Sequence, residues 1–313
     1  MRVITSWLVG LGCAACAAGC GRATPATEAG PDAPAGTNIL HISWGGIALP
    51  DADEETRHWS TWTINLVDGG VSYGWTSSSA MTFPHELMFE LAGTGVVNGI
   101  VLDTRFEPDV REDGSISPRP DASAVRAFRV LGSTAGPAGP FVDLVAGEAA
   151  QDHRSTFALS APTRARWVKL VVEGNWRGSG ATYLGDFGVL GVLETRAEAA
   201  ADVSGQYAHS YGPILLRQHG AEIFGCYNDG LGQLRGLVLG RTMRLAWSSA
   251  KEQSLGSATL VAADDKLYGF WYRAGDRMGS PWNAAKAKAL ADVDLGACQG
   301  AIYPGGEGPD AKR

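Results

Sequence analysis

The side chains that could make or break bonds form no familiar pattern. His85-Glu86 opens a metalloprotease-like motif, in which a second His three residues after the Glu would complete a zinc pair. Phe89 occupies that place, and the stretch reads as strand, not helix. Gly93, Gly95 and Gly99 miss the dinucleotide-binding spacing by one and lead into a strand; Gly230, Gly232 and Gly236 miss it likewise. Ser133 lies in Gly-Ser-Thr-Ala-Gly and Ser179 in Arg-Gly-Ser-Gly-Ala, and neither makes a nucleophile elbow. The six His are scattered, and Glu54-Glu55 and Asp264-Asp265 read as solvated turns. Two carboxylates meeting in space could still hydrolyse a glycosidic bond, but no enzyme is expected. The net charge is −7, with no Lys/Arg cluster able to neutralise a row of phosphates, so a nucleic-acid partner is disfavoured.

The elements that must position any site are strands. Gly is plentiful at 42, Trp unusually frequent at 10, and Gly-rich turns separate short aromatic and β-branched runs. That pattern predicts an all-β chain. From 38 to 193 the strand-like runs are 86–91, 96–104, 125–133, 140–145, 165–174 and 184–193, with long Gly/Pro-rich loops between them. In 165–174, Val168, Leu170 and Val172 share one face and Trp167, Lys169 and Val171 the other, which suits a central strand of a sandwich. Trp75, just after a Gly-rich turn, is read as a core plug under the loops. Residues 194–202 read as a linker. From 203 to 300 short strands alternate with Gly-centred turns, and Met243, Leu245 and Trp247 show period-2 alternation. Six or seven such strands predict a small antiparallel β-barrel whose inward aromatics fill its core. Residues 301–313 read as a frayed tail.

The N-terminus sets the compartment. Arg2 and the apolar run Val3 to Ala18 read as a signal peptide over 1–19, too short to span a bilayer stably. Ala17-Ala18-Gly19-Cys20 resembles the lipobox of bacterial lipoproteins, with Cys13 and Cys16 as rival sites. That resemblance implies lipidation of Cys20 and a membrane partner through the anchor, since two acyl chains hold stably where one does not. Gly21 after Cys20 implies the outer membrane of a cell envelope. Residues 20–37, rich in Pro, Ala, Gly and Thr, form a flexible tether. Cys226 and Cys298 then remain, an even count in an oxidising compartment, which predicts a disulfide; two reduced thiols are the alternative. Cys298 would pin the segment 284–298, read as helical, back to the strand holding Cys226.

The motif order in 38–193 resembles the discoidin, or coagulation factor 5/8 type C, family of galactose-binding-like jelly rolls. Asn65-Leu66-Val67-Asp68-Gly69 precedes Gly74-Trp75-Thr76-Ser77-Ser78, then Pro84 to Leu91 and the strand 96–104. Val125 to Val130, Gly139-Pro140-Phe141, Ala165 to Leu170 and Leu184 to Val189 follow in family order. The fold class implied is a β-sandwich jelly roll followed by the small barrel. The resemblance implies a structural Ca²⁺ with Asp68 as the first carboxylate and Asp186 where the family usually has Glu. Asp68 equally suits a turn that bonds its own backbone before Gly69-Gly70.

Ligand binding in that family uses loops at one end of the jelly roll. A sugar site combines a stacking ring with side chains that grip hydroxyls. Arg57-His58-Trp59 and Asn175-Trp176-Arg177 carry that chemistry, with Arg105 available to join them. Each tryptophan also suits a loop-anchoring core role, Trp59 above all, whereas Trp176 is read as the exposed platform. The function implied is a cell-envelope lipoprotein that binds carbohydrate or another surface ligand without catalysis. The alternatives are an envelope assembly protein gripping protein partners, and an unrecognised glycoside hydrolase or its accessory module.

Overall fold

The computed structural model describes residues 36–51, 54, 57–71, 73–80, 82–106, 122–194, 201–210, 212–276, 279–289 and 298. The signal segment, Cys20, nearly all of the tether, most of the linker and the tail lie outside the described residues.

The first half contains β1 (Thr37–Asn38), β2 (Ile47–Ala48), β3 (Trp75–Thr76), β4 (His85–Asp103), β5 (Ala127–Ser133), β6 (Val142–Glu148), β7 (Arg154–Val172), β8 (Tyr183–Leu184) and β9 (Asp186–Leu193). Six of these run in the order β1-β9-β4-β7-β5-β6, and β2 adds to β4. The runs 86–91 and 96–104 are not separate strands. They are the two halves of β4, whose pairing with β7 shifts register between Glu90 and Gly95 and again between Val97 and Gly99. The first half of β4 pairs with the end of β7, next to β5; the second half pairs with β9 and the start of β7. Phe89 therefore meets Phe187 at 4.6 Å and Phe128 meets Phe157 at 4.8 Å, ring to ring between the two halves. This is how one bent sheet becomes a sandwich with both inner faces apolar.

Sequence periodicity did not show the start of β7. Residues 154–164 mix Ser, Thr, Ala and Pro, with only Ser155, Phe157 and Ala165 turned fully inward nearby. Residues 159–162 have no partner on β4, and Pro162 falls within that gap, where a missing N–H costs no ladder bond. Trp75 is fully buried, as a core plug should be, and its indole N–H donates to Asp51 Oδ2 at 2.8 Å.

The second half contains β10 (Gly205–Ala208), β11 (Ile214–His219), β12 (Glu222–Tyr227), β13 (Gly232–Leu239), β14 (Thr242–Ser249), β15 (Ser254–Ala263), β16 (Lys266–Arg273), β17 (Ser280–Pro281) and β18 (Ala284–Lys288). β10 to β16 form an antiparallel meander, and β18 closes it by pairing with both β16 and β10. The barrel thus has eight strands, with β17 appended to β16. Residues 284–288 form the closing strand, which corrects the helical reading: the barrel needs an eighth strand to leave no open edge. Met243, Leu245 and Trp247 point inward with Leu216, Leu260 and Leu267. Cys226 and Cys298 are joined by a disulfide across 72 residues of chain. In the chain-entropy picture a loop of that size is worth about 4 kcal/mol.

The two halves share a core. Val261, Tyr268 and Phe270 of the barrel belong to the same buried cluster as the sandwich interior. Arg241 reaches across, donating from Nε to the Gly45 carbonyl at 2.9 Å and from Nη2 to the Leu91 carbonyl at 2.9 Å. Its Nη1 lies 3.2 Å from Glu90 Oε2. Gly45 has φ 88°, and a Cβ there would lie 2.8 Å from Thr242 Oγ1, so glycine is what lets the barrel approach this closely.

Candidate functional site: a groove between sandwich and barrel

Residues 57–67 form two consecutive 3-10 turns, Trp59–Thr61 and Thr63–Val67. His58 caps the first, its Nδ1 accepting from the Ser60 amide. Arg57 is an anchor here: its guanidinium bonds Asp51 and the Thr76 carbonyl. Asn65, fully buried, ties the turns to the Trp59 and Gly74 carbonyls at 3.0 and 3.3 Å. Trp59 stands edge-on to Tyr73 with ring centroids 4.9 Å apart, and Trp62 donates from its indole to the Arg57 carbonyl at 3.2 Å.

These turns form one wall of a groove of about 780 Å³, and the barrel forms the other. Trp59, Trp62, Tyr268 and Trp271 bring aromatic surface to it. His58, His209, Lys266 and Asn283 bring hydrogen-bonding groups. Burial pushes His209 down to about 4, so it is a neutral imidazole around pH 7. Glu54 is the carboxylate among the described lining residues. It accepts from the Thr63 amide at 2.9 Å, and burial holds it above the ordinary carboxylate range. Aromatic side chains together with donors and acceptors in one lining suit a polyhydroxylated chain, which has apolar C–H patches and many hydroxyls.

The other loop named from the sequence lies apart from this lining. Asn175 is buried and its amide is spent on the loop itself, donating to Ser179 O, Ala181 O and Thr182 Oγ1 and accepting from the Gly178 amide. Trp176 is 38% exposed, with the Arg126 guanidinium 4.7 Å from its ring centre, so one face of this platform carries a cation. Arg177 is exposed beside it. Arg105 is engaged with buried Asp103, Nη2 to Oδ2 at 2.6 Å and Nε to Oδ1 at 2.9 Å. The barrel wall of the groove was not legible as a site, because nothing in the sequence tells which barrel strands face the sandwich.

Asp68 and Asp186 approach through the fold. Asp186 is 1% exposed, and the polar groups that face its carboxylate are the Gly69 amide and the Arg154 guanidinium. Burial, then the charge of Asp68, push it up to about 8, partly offset by Arg154 at 3.7 Å. Burial likewise pushes Asp68 up to about 6, against the Gly70 amide that donates to its Oδ1 at 2.7 Å. Two neighbouring buried carboxylates whose charge is only partly offset fit a hard cation. Among the described residues no group of three or more His, Cys, Asp or Glu is placed to hold a metal ion. A cation here would therefore complete its shell from backbone carbonyls and water.

Solved structures resemble about half of the chain. The family 32 carbohydrate-binding module CpGH89CBM32-5 from Clostridium perfringens, in complex with GalNAc-beta-1,3-galactose, matches at 16% identity over 48% of this chain and 98% of its own, with a TM-score of 0.37. The family 32 module from Streptococcus pneumoniae EndoD matches at 16% identity over 50% of this chain and 99% of its own, with a TM-score of 0.37. A putative chitobiase fragment from Bacteroides thetaiotaomicron matches at 12% identity over 52% of this chain and 96% of its own, with a TM-score of 0.40. No family model matches the sequence, and no curated protein does.

Proposed function

We propose that this protein is a carbohydrate-binding lipoprotein of the cell envelope that grips glycan in the groove between sandwich and barrel, without making or breaking bonds. The observation that carries this reading is the groove itself, where Trp59, Trp62, Tyr268 and Trp271 share the lining with neutral and cationic donors around about 780 Å³ of space. A space of that volume accommodates several sugar units rather than one. In the same reading Asp68 and Asp186 hold a structural Ca²⁺ under the loops, and Cys20 carries the lipid.

A glycan array probed with the protein tests the groove. At least one glycan should bind, and Trp59→Ala should weaken it about fivefold or more, since stacking on one ring is worth about 1–3 kcal/mol by analogy with base stacking. Trp176→Ala should leave that binding within twofold. The opposite ranking would move the site to the 175–177 loop, and silence across the array would sink the reading. The anchor has its own check. Labelled fatty acid should enter the protein in growing cells and be lost in Cys20→Ser; label retained in that variant would refute the anchor.

A further inference from the structure

The mouth of the barrel holds a separate cavity of about 210 Å³. Its walls are Tyr227, Trp247, Trp271 and Trp282. Trp247 and Trp271 meet at 83° with centroids 5.5 Å apart, and Tyr227 and Trp282 at 80° and 5.5 Å. Perpendicular rings make a cup, not a closed stack. Leu216, Met243, Leu260 and Leu267, all fully buried, pack in one cluster with Trp247 and Trp282, so the barrel interior that adjoins the cup is filled.

The cup is built by its strands. Tyr227 pairs across the sheet with Gly232, and Trp247 with Gly256. A Cβ at Gly232 would lie 2.1 Å from the Tyr227 ring, and one at Gly256 would lie 2.6 Å from the Trp247 indole. Both rings therefore lie over bare backbone and leave the centre open. The Trp247 indole N–H is spent on the carbonyls of Ser257 and Tyr272, each at 3.1 Å, so it is bound into the wall. Asn228, Ser249, Glu252 and Arg273 gather the polar groups at this cavity. Glu252 and Arg273 pair at 3.3 Å and are both more than half exposed, so each keeps capacity for another partner.

This chemistry narrows the occupant. The Arg273 guanidinium disfavours a cation, and the Glu252 carboxylate disfavours an anion. The volume falls below the roughly 300–1,000 Å³ of pockets for drug-sized ligands, and the filled barrel interior leaves no room for an acyl chain. An uncharged ring with apolar faces and hydroxyls at its edge satisfies both the aromatic walls and the mixed donors and acceptors at the rim. We propose that the barrel mouth is a second binding site, for a single neutral sugar ring such as the exposed end of a glycan. It is distinct from the groove, although Trp271 borders both.

Tryptophan fluorescence of the full chain, solubilised in a sugar-free detergent, tests this. The probes are the methyl glycosides of glucose, galactose, mannose and N-acetylglucosamine, with choline and phenol as comparators. One neutral glycoside should give a saturable change, at least tenfold weaker in the rim variants Arg273→Ala and Glu252→Gln. Both side chains are exposed, and an unchanged melting temperature confirms that the fold is kept. The same titration in Trp59→Ala should still saturate, which separates failure here from failure of the groove. Saturation by choline or phenol but no glycoside would overturn the proposal. So would no saturation by any probe, or a glycoside response that survives both rim changes and vanishes in Trp59→Ala.

Discussion

Arg241→Ala is expected to lower the melting temperature by about 10 °C and to split one transition into two. Arg241 is 8% exposed at its side chain, and its guanidinium is held by Glu90 and by carbonyls of the sandwich. Burial pulls its pKa below the ordinary value, and Glu90 is the chief opposing influence. Removing one partner of a buried pair leaves the other charge without compensation, at roughly 3–5 kcal/mol. Glu90 keeps a contact to Arg166, 2.8 Å from Nη2, so its loss of partners is incomplete. The Gly45 and Leu91 carbonyls would lose their Arg241 donor. At ~2–4 °C per kcal/mol for domains of this size, the shift is readily seen by calorimetry. Because the groove has one wall from each half, glycan binding should weaken in the same variant. A Glu90→Leu, Arg241→Met double variant should recover part of the stability, since well-packed apolar replacements of a buried pair are often neutral. A single unshifted transition in Arg241→Ala would show that the apolar contacts of Val261, Tyr268 and Phe270 suffice to dock the halves.

Asp186→Asn is expected to stabilise the metal-free protein, and most strongly at alkaline pH. The folded-state pKa of Asp186 is raised to about 8, above the ordinary aspartate value near 4. Below about pH 4 both folded and unfolded chains hold the proton, so the group costs nothing. Between about 4 and 8 the unfolded chain releases its proton while the folded chain keeps it, and stability falls as pH rises. Above about 8 the full cost of a buried carboxylate, only partly offset by Arg154, is paid. Asp68, raised to about 6, adds the same sign over a narrower window. In EDTA the melting temperature should therefore fall from pH 4 to pH 8. The Asn variant should flatten that slope and gain about 5 °C or more at pH 8, at ~2–4 °C per kcal/mol. Added Ca²⁺ should raise the wild-type melt at pH 8 and leave the Asn variant nearly unmoved. A flat pH profile in EDTA would mean that these carboxylates are solvated in the folded state. A pH slope without a Ca²⁺ response would leave the buried-charge account standing and reject the metal.

How the loops named from the sequence divide in space follows from what each residue type reveals. Trp59 and Asn175 look alike as loop residues two positions from an arginine. In the fold, Trp59 faces the barrel across open space, whereas Asn175 turns inward and bonds its own loop. Arg57 and Arg105 advertise the same charge, yet both are anchored by aspartates, Asp51 and Asp103. A sequence shows which groups can bond but not which partner claims them first. The cup at the barrel mouth went unread for a related reason. Trp247 has the alternation of a core residue, and only the closure of the barrel brings it together with Tyr227, Trp271 and Trp282 around an unfilled space.

Local chemistry along the chain determined the all-β class, the sandwich followed by a barrel, the burial of Trp75 and the Cys226–Cys298 bond, because period-2 alternation, turn glycines and cysteine parity act over a few residues or by simple counting. Tertiary structure alone decided that β4 and β7 each serve both layers, that residues 284–288 close the barrel, and that Arg241 joins the halves. Those outcomes depend on which surfaces meet, and the free energy of a contact between distant segments is written in their packing, not in the spacing of residues along either one.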